Sequence, residues 1–362
     1  MTKQAASPAD PSGATVGSAG ERALLQRLRA RIPASHDVPV GPGDDAALVR
    51  TATETLLTTD ALVEGVHFRR DWSSARRVGR KALSVNLSDI GAMAGRARYA
   101  TISLCLPPAL ELSWLDGLYD GLLERAAETG VALVGGNLSG TAGPVVIDVA
   151  VLGEAPRPLR RAGAVAGDLI AVTGRPGAAS AGLALLEAGL RLRDDGGLEI
   201  PAGRPQPSPA QEQALRACLL AQMDPAPPLL FAAGLGRLTG VHAGMDVSDG
   251  LSGDLLSLGA ESGLAAVVAA AALPPSPAAQ LADWGAGDPL AHVLHGGEDY
   301  GLLLAVAPDA LDALTDLAHA HHVTLSVVGA FEAGSGVWLQ DAAGRQPLAA
   351  RAHQHFAARN GT

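Results

Sequence analysis

The chain has 362 residues, 48% of them apolar and 18% charged, which is enough for two buried cores and too apolar for a wholly disordered chain. With 27 basic against 37 acidic residues the formal net charge is −10, which argues against a general nucleic-acid binder, since such proteins need basic surface to displace counterions from phosphate. Cys105 and Cys218 stand far apart without CxxC partners, so they imply neither a disulfide framework nor a cysteine metal site, and no run of 18 or more apolar residues points to a membrane span. The chain reads as a cytoplasmic protein.

Residues 1–19, rich in Ala, Ser, Pro and Gly, read as a flexible tail. A first helix is predicted over 21–31, with Leu24, Leu25 and Leu28 at helical spacing. Short apolar runs follow at 46–49 and 56–59, the second closing on Asp60. Helical periodicity returns at 75–93, then a strand over 100–106 is stopped by Pro107-Pro108. A helix over 112–129 ends at Gly130, and strands are predicted at 131–134 and 145–152. The sequence EAPRPLRR (154–161) breaks the pattern and marks a boundary between domains 20–154 and 155–362. In the second domain we predict a strand at 168–173, a small-residue helix at 178–188 and a polar, Pro/Gly-rich exposed insertion at 192–211. Helices at 212–222, 229–238 and 252–262 and strands at 299–306 and 324–329 complete the reading. Helices and strands mix without regular βαβ spacing, so the fold class is α+β in two domains.

The chemistry concentrates in turns that present oxygen ligands: Gly43-Asp44-Asp45-Ala46, Thr58-Thr59-Asp60, Ser88-Asp89, Asp246-Val247-Ser248-Asp249-Gly250 and Gly296-Gly297-Glu298-Asp299. Carboxylate and hydroxyl oxygens suit Mg²⁺, which commonly binds one or two carboxylates together with substrate phosphates. Any one such turn is an ordinary Asp/Gly turn; five of them, if they converge, need cations to offset their mutual repulsion. Gly41-Pro42-Gly43-Asp44-Asp45-Ala46 fits a loose dinucleotide pattern, but its aspartates oppose a pyrophosphate. Neither lysine, Lys3 or Lys81, lies in a Walker loop. On residue type alone, His67 is as well read as a packed side chain, Asp254 as a stabiliser of its helix, and His319, His321 and His322 as a solvated face.

Five segments in order, GPGDDAALV (41–49), TTDALVEGVHF (58–68), NLSDIGAMAG (86–95), MDVSDGLSGDL (245–255) and HGGEDYGLLL (295–304), resemble the thiamine-monophosphate kinase family of the aminoimidazole ribonucleotide synthetase-like superfamily. The likeness runs from about residue 20 to 356. It implies a two-domain fold whose N-terminal domain forms a barrel-like sheet with a second subunit, as a homodimer, and whose C-terminal domain is an α/β sandwich. It implies ATP-dependent phosphorylation of thiamine monophosphate to thiamine diphosphate by direct in-line transfer, assisted by several Mg²⁺ ions. The same resemblance places metal ligands at Asp45, Thr58, Thr59, Asp60, Asp89, Asn137, Asp246 and Asp249. It puts ATP contacts at Gly136, Asn137, Arg161 and Ser248, and contacts to the thiamine phosphate at His67, Glu298 and His353. A phosphate acceptor is already ionised near neutral pH, so no general base is expected.

The sequence departs from the family pattern at Asn137, where an aspartate is usual, at Gly177-Ala178-Ala179-Ser180, Pro228 and Gly301, and at His353, where an aromatic is common. Asn keeps an oxygen ligand but loses a charge, which weakens cation binding. These departures leave room for a related kinase acting on another phosphorylated or carboxylated small molecule, or for a module that binds without transferring phosphate.

Overall fold

The computed structural model describes residues 15–19, 21–33, 36–38, 49–52 and 54–349. They form two units: the first from the described residues within Met1–Arg50, Thr59–Leu83 and Tyr99–Ala150, the second from those within Thr51–Thr58, Ser84–Arg98 and Val151–Thr362. None of the described helices is long and apolar enough to cross a membrane.

The N-terminal half contains α1 (Val16–Ala19), α2 (Glu21–Arg29), β1 (Thr55–Val63), α3 (Ala75–Ala92), β2 (Arg96–Leu106), α4 (Leu112–Thr129), β3 (Ala132–Gly140) and β4 (Val146–Glu154). The strands form one sheet in the order β1-β4-β2-β3. β2 and β3 run parallel, joined through α4. α4 matches its predicted bounds because both ends are punctuated: the chain enters after Pro107-Pro108 and leaves at Gly130, which adopts φ 71°. The first half of α3 lies so close on α4 that a Cβ at Gly121 would stand 1.8 Å from the Arg76 carbonyl oxygen. Any side chain there would force the helices apart. Along β4 the residues alternate: Ile147, Val149 and Val151 are buried, while Val146, Asp148 and Ala150 are half-buried. Arg27 and Arg31 of the N-terminal segment hold Asp116 of α4.

The second unit is built on a seven-stranded sheet, β13-β12-β9-β11-β5-β10-β8. Its strands are β5 (Leu169–Thr173), β8 (Val241–Val247), β9 (Leu264–Ala269), β10 (Gly301–Val306), β11 (Leu325–Ala333), β12 (Val337–Asp341) and β13 (Gly344–Pro347). All neighbours are antiparallel except β12 and β9. Its helices are α5 (Ala178–Glu187), α6 (Pro209–Met223), α7 (Leu229–Leu235), α8 (Leu251–Ser262), α9 (Pro289–His295) and α10 (Leu311–Ala320). Every residue of β10 is buried, and strand alternation divides its side chains between two cores. Leu303 and Ala305 join Ile170, Val172, Phe331 and Leu255 of α8; Leu302, Leu304 and Val306 join Ala171, Phe231 of α7 and Leu314 of α10.

Several elements differ from their predicted extent. β1 and β3 run past the apolar runs at 56–59 and 131–134, because polar Thr59, Asp60 and Asn137 continue the strands. The strands β8, β9, β12 and β13 and the helices α1, α9 and α10 were not predicted, and α1 lies within the stretch read as a flexible tail. β9 is hidden inside an alanine-rich stretch with no alternation, and β8 carries Gly244 and His242 in mid-strand. The insertion at 192–211 contains structure: β6 (Arg191–Leu192) pairs with β7 (Leu198–Glu199), and Ser208 opens α6 with a capping box to Gln211.

Candidate functional site

The acidic residues of the second unit meet where α3, β8 and the segment before β5 come together. Thr58 Oγ1 donates to Asp89 Oδ2 at 2.6 Å, and the next residue back along α3, Ser88, donates from Oγ to Asp246 Oδ2 at 2.8 Å. Asp246 is the penultimate residue of β8 and only 3% exposed. Asp89, Asp246, Arg160 and Arg161 line a cavity of about 150 Å³, closed on its apolar side by Met93, Leu159 and Met245. The Gly244 amide donates to the Arg160 carbonyl at 2.9 Å, tying the arginine segment to β8. Burial raises the Asp89 carboxyl above its ordinary range, opposed by the Thr58 hydrogen bond and the Arg161 charge. A cavity with two carboxylates and a guanidinium suits a phosphate that arrives with its cation.

Beyond Asp246 the chain turns through Ser248 and Asp249 into α8. Gly250, at φ 110°, permits the turn: a Cβ there would lie 2.8 Å from the His295 carbonyl oxygen. Asp254 in the first turn of α8 is 2% exposed, and its Oδ2 has no hydrogen-bond partner among the described residues. Burial pushes its carboxyl up to about 8, and the charges of Asp246 and Asp249 add to the effect. Asp254 is thus a buried member of the acidic cluster as well as a helix residue.

The HGGEDYG loop packs on this turn. The Glu298 and Tyr300 amides donate to the Ser248 and Val247 carbonyls at 2.8 and 2.9 Å. Both residues sit in the left-handed region, at φ 66° and 51°, which non-glycine residues seldom occupy. Glu298 accepts a hydrogen bond from Gln222 of α6. Asp299 turns the other way and accepts the Gly177 and Ala179 amides at 2.6 and 3.0 Å, so it caps α5 from a distant loop. Burial pushes Asp299 up to about 7, against the pull of these amides and with a smaller push from Glu298.

In the first unit the candidates lie on strands. Thr59 Oγ1 donates to Asp148 of β4 at 3.2 Å, while Asp60 is exposed on β1. Asn137 is exposed on β3 and its amide donates to Ser139 Oγ at 3.2 Å. Gly136 beside it approaches β2 so closely that a Cβ would stand 2.2 Å from the Ile102 carbonyl oxygen. His67 accepts the Val63 amide on Nδ1 at 3.0 Å, which leaves a neutral ring protonated on Nε2. Buried Lys81 donates to the His67 carbonyl at 3.2 Å.

Within the second unit, then, Thr58, Asp89, Arg161 and Asp246 are brought together, and Ser248, Asp249 and Glu298 form an adjoining loop cluster. Asp45 and His353 lie outside the described residues. Among the described residues no group of three or more His, Cys, Asp or Glu side chains could hold a metal by itself. His319, His321 and His322 are exposed. The sequence reading missed Asp148 and Gln222; the alternation of β4 carries a signal for the first, and nothing local marks the second.

Comparison with known proteins gives this arrangement a family. The AIR synthase related protein N-terminal domain matches residues 43–155, and the corresponding C-terminal domain matches residues 165–341. A thiamine-monophosphate kinase from Rhodopirellula baltica is 32% identical over 331 residues, covering 88% of this chain and 91% of that protein. The chain belongs to the thiamine-monophosphate kinase family. Among solved structures, the thiamine-monophosphate kinase from Stenotrophomonas maltophilia K279a superposes with a TM-score of 0.74 at 34% identity, over 87% of this chain and 95% of that one. AaThiL complexed with AMPPCP and TMP matches over 96% of this chain and all of that one, with a TM-score of 0.71 at 29% identity. Both family domains are therefore present, and the fold is of the AIR synthase type.

Proposed function

We propose that the protein transfers the γ-phosphoryl group of ATP to thiamine monophosphate, yielding ADP and thiamine diphosphate. The observation that carries the reading is the convergence of Asp89, Asp246 and Arg161 on one cavity, in a chain whose relatives are thiamine-monophosphate kinases. A terminal oxygen of the acceptor phosphate attacks the γ-phosphorus in line, and the bond to the β–γ bridging oxygen breaks. The attacking oxygen is ionised near neutral pH, so the protein's task is to align and neutralise the two anions rather than to remove a proton.

The donor set fits divalent magnesium: it is all oxygen and pairs carboxylates with hydroxyls, and beside it, near Asp246 and Asp249, lies Asp254 Oδ2, which has no hydrogen-bond partner among the described residues. Asp45, Thr58, Thr59, Asp60, Asp89, Asn137, Asp246 and Asp249 would hold the ions, each through one or two carboxylates. Bound magnesium would supply neutralisation of the charge on the phosphates. Arg161, on the cavity lining, answers the triphosphate with its guanidinium charge, while Ser248, Gly136 and Asn137 contact ATP. His67, Glu298 and His353 meet the thiamine phosphate. Ser88 fixes Asp246, and Thr58 fixes Asp89, in their approach to the cavity.

We further propose a cytoplasmic homodimer. The half-buried side of β4 and exposed Leu57 on the edge strand β1 (76% exposed) offer a sheet face for a second copy. The reading is tested by incubating the purified protein with ATP, magnesium and thiamine monophosphate, with other phosphorylated or carboxylated acceptors in competition. Thiamine diphosphate as the preferred product supports it. ATP binding with no ADP release contradicts it.

A further inference from the structure

Gln222 lies outside the five motif segments, near the C-terminal end of α6. Its side chain is only 5% exposed, and its Nε2 donates to Glu298 Oε2. Its Oε1 is buried and has no hydrogen-bond partner among the described residues. The amide has one workable orientation: turned over, its carbonyl oxygen would face a carboxylate. Pointing the donor at Glu298 therefore strands the acceptor, at a cost in stability that a methionine of similar length would not incur.

Glu298 is constrained from its other end as well. Its backbone sits at φ 66°, and its amide is tied to the Ser248 carbonyl. Strained backbone and an orphaned amide oxygen together fix one carboxylate, beside the turn that carries Asp249. Nearby Asp299 is engaged with the α5 amides and so does not compete for Gln222.

We infer that Gln222 is a positioning residue for the acceptor: it clamps the Glu298 carboxylate in the orientation that receives a cationic or amine-bearing substrate. Thiamine monophosphate has both features, a thiazolium cation and an aminopyrimidine. The inference rests on the reading that Glu298 meets the acceptor.

The test compares wild type, Gln222→Met, Gln222→Leu, Glu298→Gln and the Gln222→Met/Glu298→Gln double variant of the full chain. Initial rates are measured with thiamine monophosphate varied at saturating ATP, and with ATP varied at saturating acceptor; unfolding midpoints are recorded for each variant. Loss of the amide donor should raise KM for the acceptor about tenfold in both Gln222 variants, as expected for one hydrogen bond to a charged group. KM for ATP should stay within about twofold and the unfolding midpoint should hold or rise. In the Glu298→Gln background, Gln222→Met should add less than about twofold, because its partner is already neutral. An acceptor KM that rises in Glu298→Gln but not in the Gln222 variants overturns the inference and leaves the Glu298 reading standing. KM values for both substrates rising together with a lowered unfolding midpoint overturn it in favour of a packing role. If neither residue affects the acceptor, the Glu298 reading fails and the inference fails with it; an inactive wild type breaks the proposed function at the first measurement.

Discussion

Two buried acids of the second unit and the exposed candidates of the first live in opposite solvents. In the second unit Asp246 and Asp254 are almost wholly buried, and each carboxylate is held by a hydroxyl or a backbone amide before any ligand arrives. In the first unit Asp60 and Asn137 stand exposed on strands, and Thr59 shares only a long hydrogen bond with Asp148. Buried carboxylates are already oriented but costly to ionise; exposed ones ionise freely and must be ordered when the ligand binds. The two sets should therefore respond differently to substitution. Neutralising a buried acid removes binding and relieves the fold, whereas neutralising an exposed one removes binding alone.

The largest effect is expected for Asp89→Asn, at a cavity-lining carboxyl that burial already raises above its ordinary range. Turnover should fall by about 10³-fold, of the size seen when a fixed electrostatic contact to a transition state is lost, with the unfolding midpoint unchanged or higher. A variant that loses activity only because it unfolds would break the comparison. Asp60→Asn should cost less, about 10²-fold in turnover, and leave stability within about 0.5 kcal/mol of wild type, as usual for an exposed site; chemical denaturation measures this. A clear gain in stability from Asp60→Asn would erase the distinction between the two sets.

Asn137→Asp should act in the opposite direction. Restoring a charged ligand on an exposed strand should lower the magnesium concentration for half-maximal rate by roughly threefold or more, a factor set by one added charge near water. An unchanged magnesium curve would remove Asn137 from the ligand set.

The Asn137→Asp shift is the smallest effect expected on activity; a separate expectation concerns stability against pH. Asp299 has a folded-state value pushed from 3.8 to about 7. A raised carboxyl favours the folded state while it is protonated, so its contribution is present below about 4 and is lost as pH rises towards 7. Relative to Asp299→Asn, the wild type should thus lose on the order of 3 kcal/mol of unfolding free energy between pH 4 and 7, and little further above that. A difference that is flat across this window would show that Asp299 ionises as it would in water.

Some of this was legible in the sequence and some was not, for physical reasons. α4 could be read to the residue because prolines precede it and Gly130 ends it, both local signals. The Asp246–Gly250 turn and Ser88-Asp89 were legible because a few consecutive residues carry the chemistry. Their pairing was not: the Ser88–Asp246 bond spans 158 residues, and only the fold brings its ends together. Gln222 reaches Glu298 across 76 residues from an unremarkable helix and leaves no trace in local pattern, whereas the alternation of β4 marks the face of Asp148 but not its partner Thr59, 89 residues away. β9 was lost in an alanine run that offers no period of two, and its strand state is decided by pairing with β11 and β12. Asp254 was read as a helix stabiliser because its spacing from Gly250 is local, while its burial among other acids is a property of the packed core.

The most direct test is the rate of thiamine diphosphate formation from ATP and thiamine monophosphate as free magnesium is varied, in wild type and in Asp246→Asn, which keeps the oxygen that accepts from Ser88. The account predicts no product without a divalent ion, a saturable rise in the wild type, and at least about a tenfold higher magnesium requirement in the variant. Superimposable magnesium curves for the two folded proteins, or a wild type that makes no thiamine diphosphate at saturating magnesium, would contradict it.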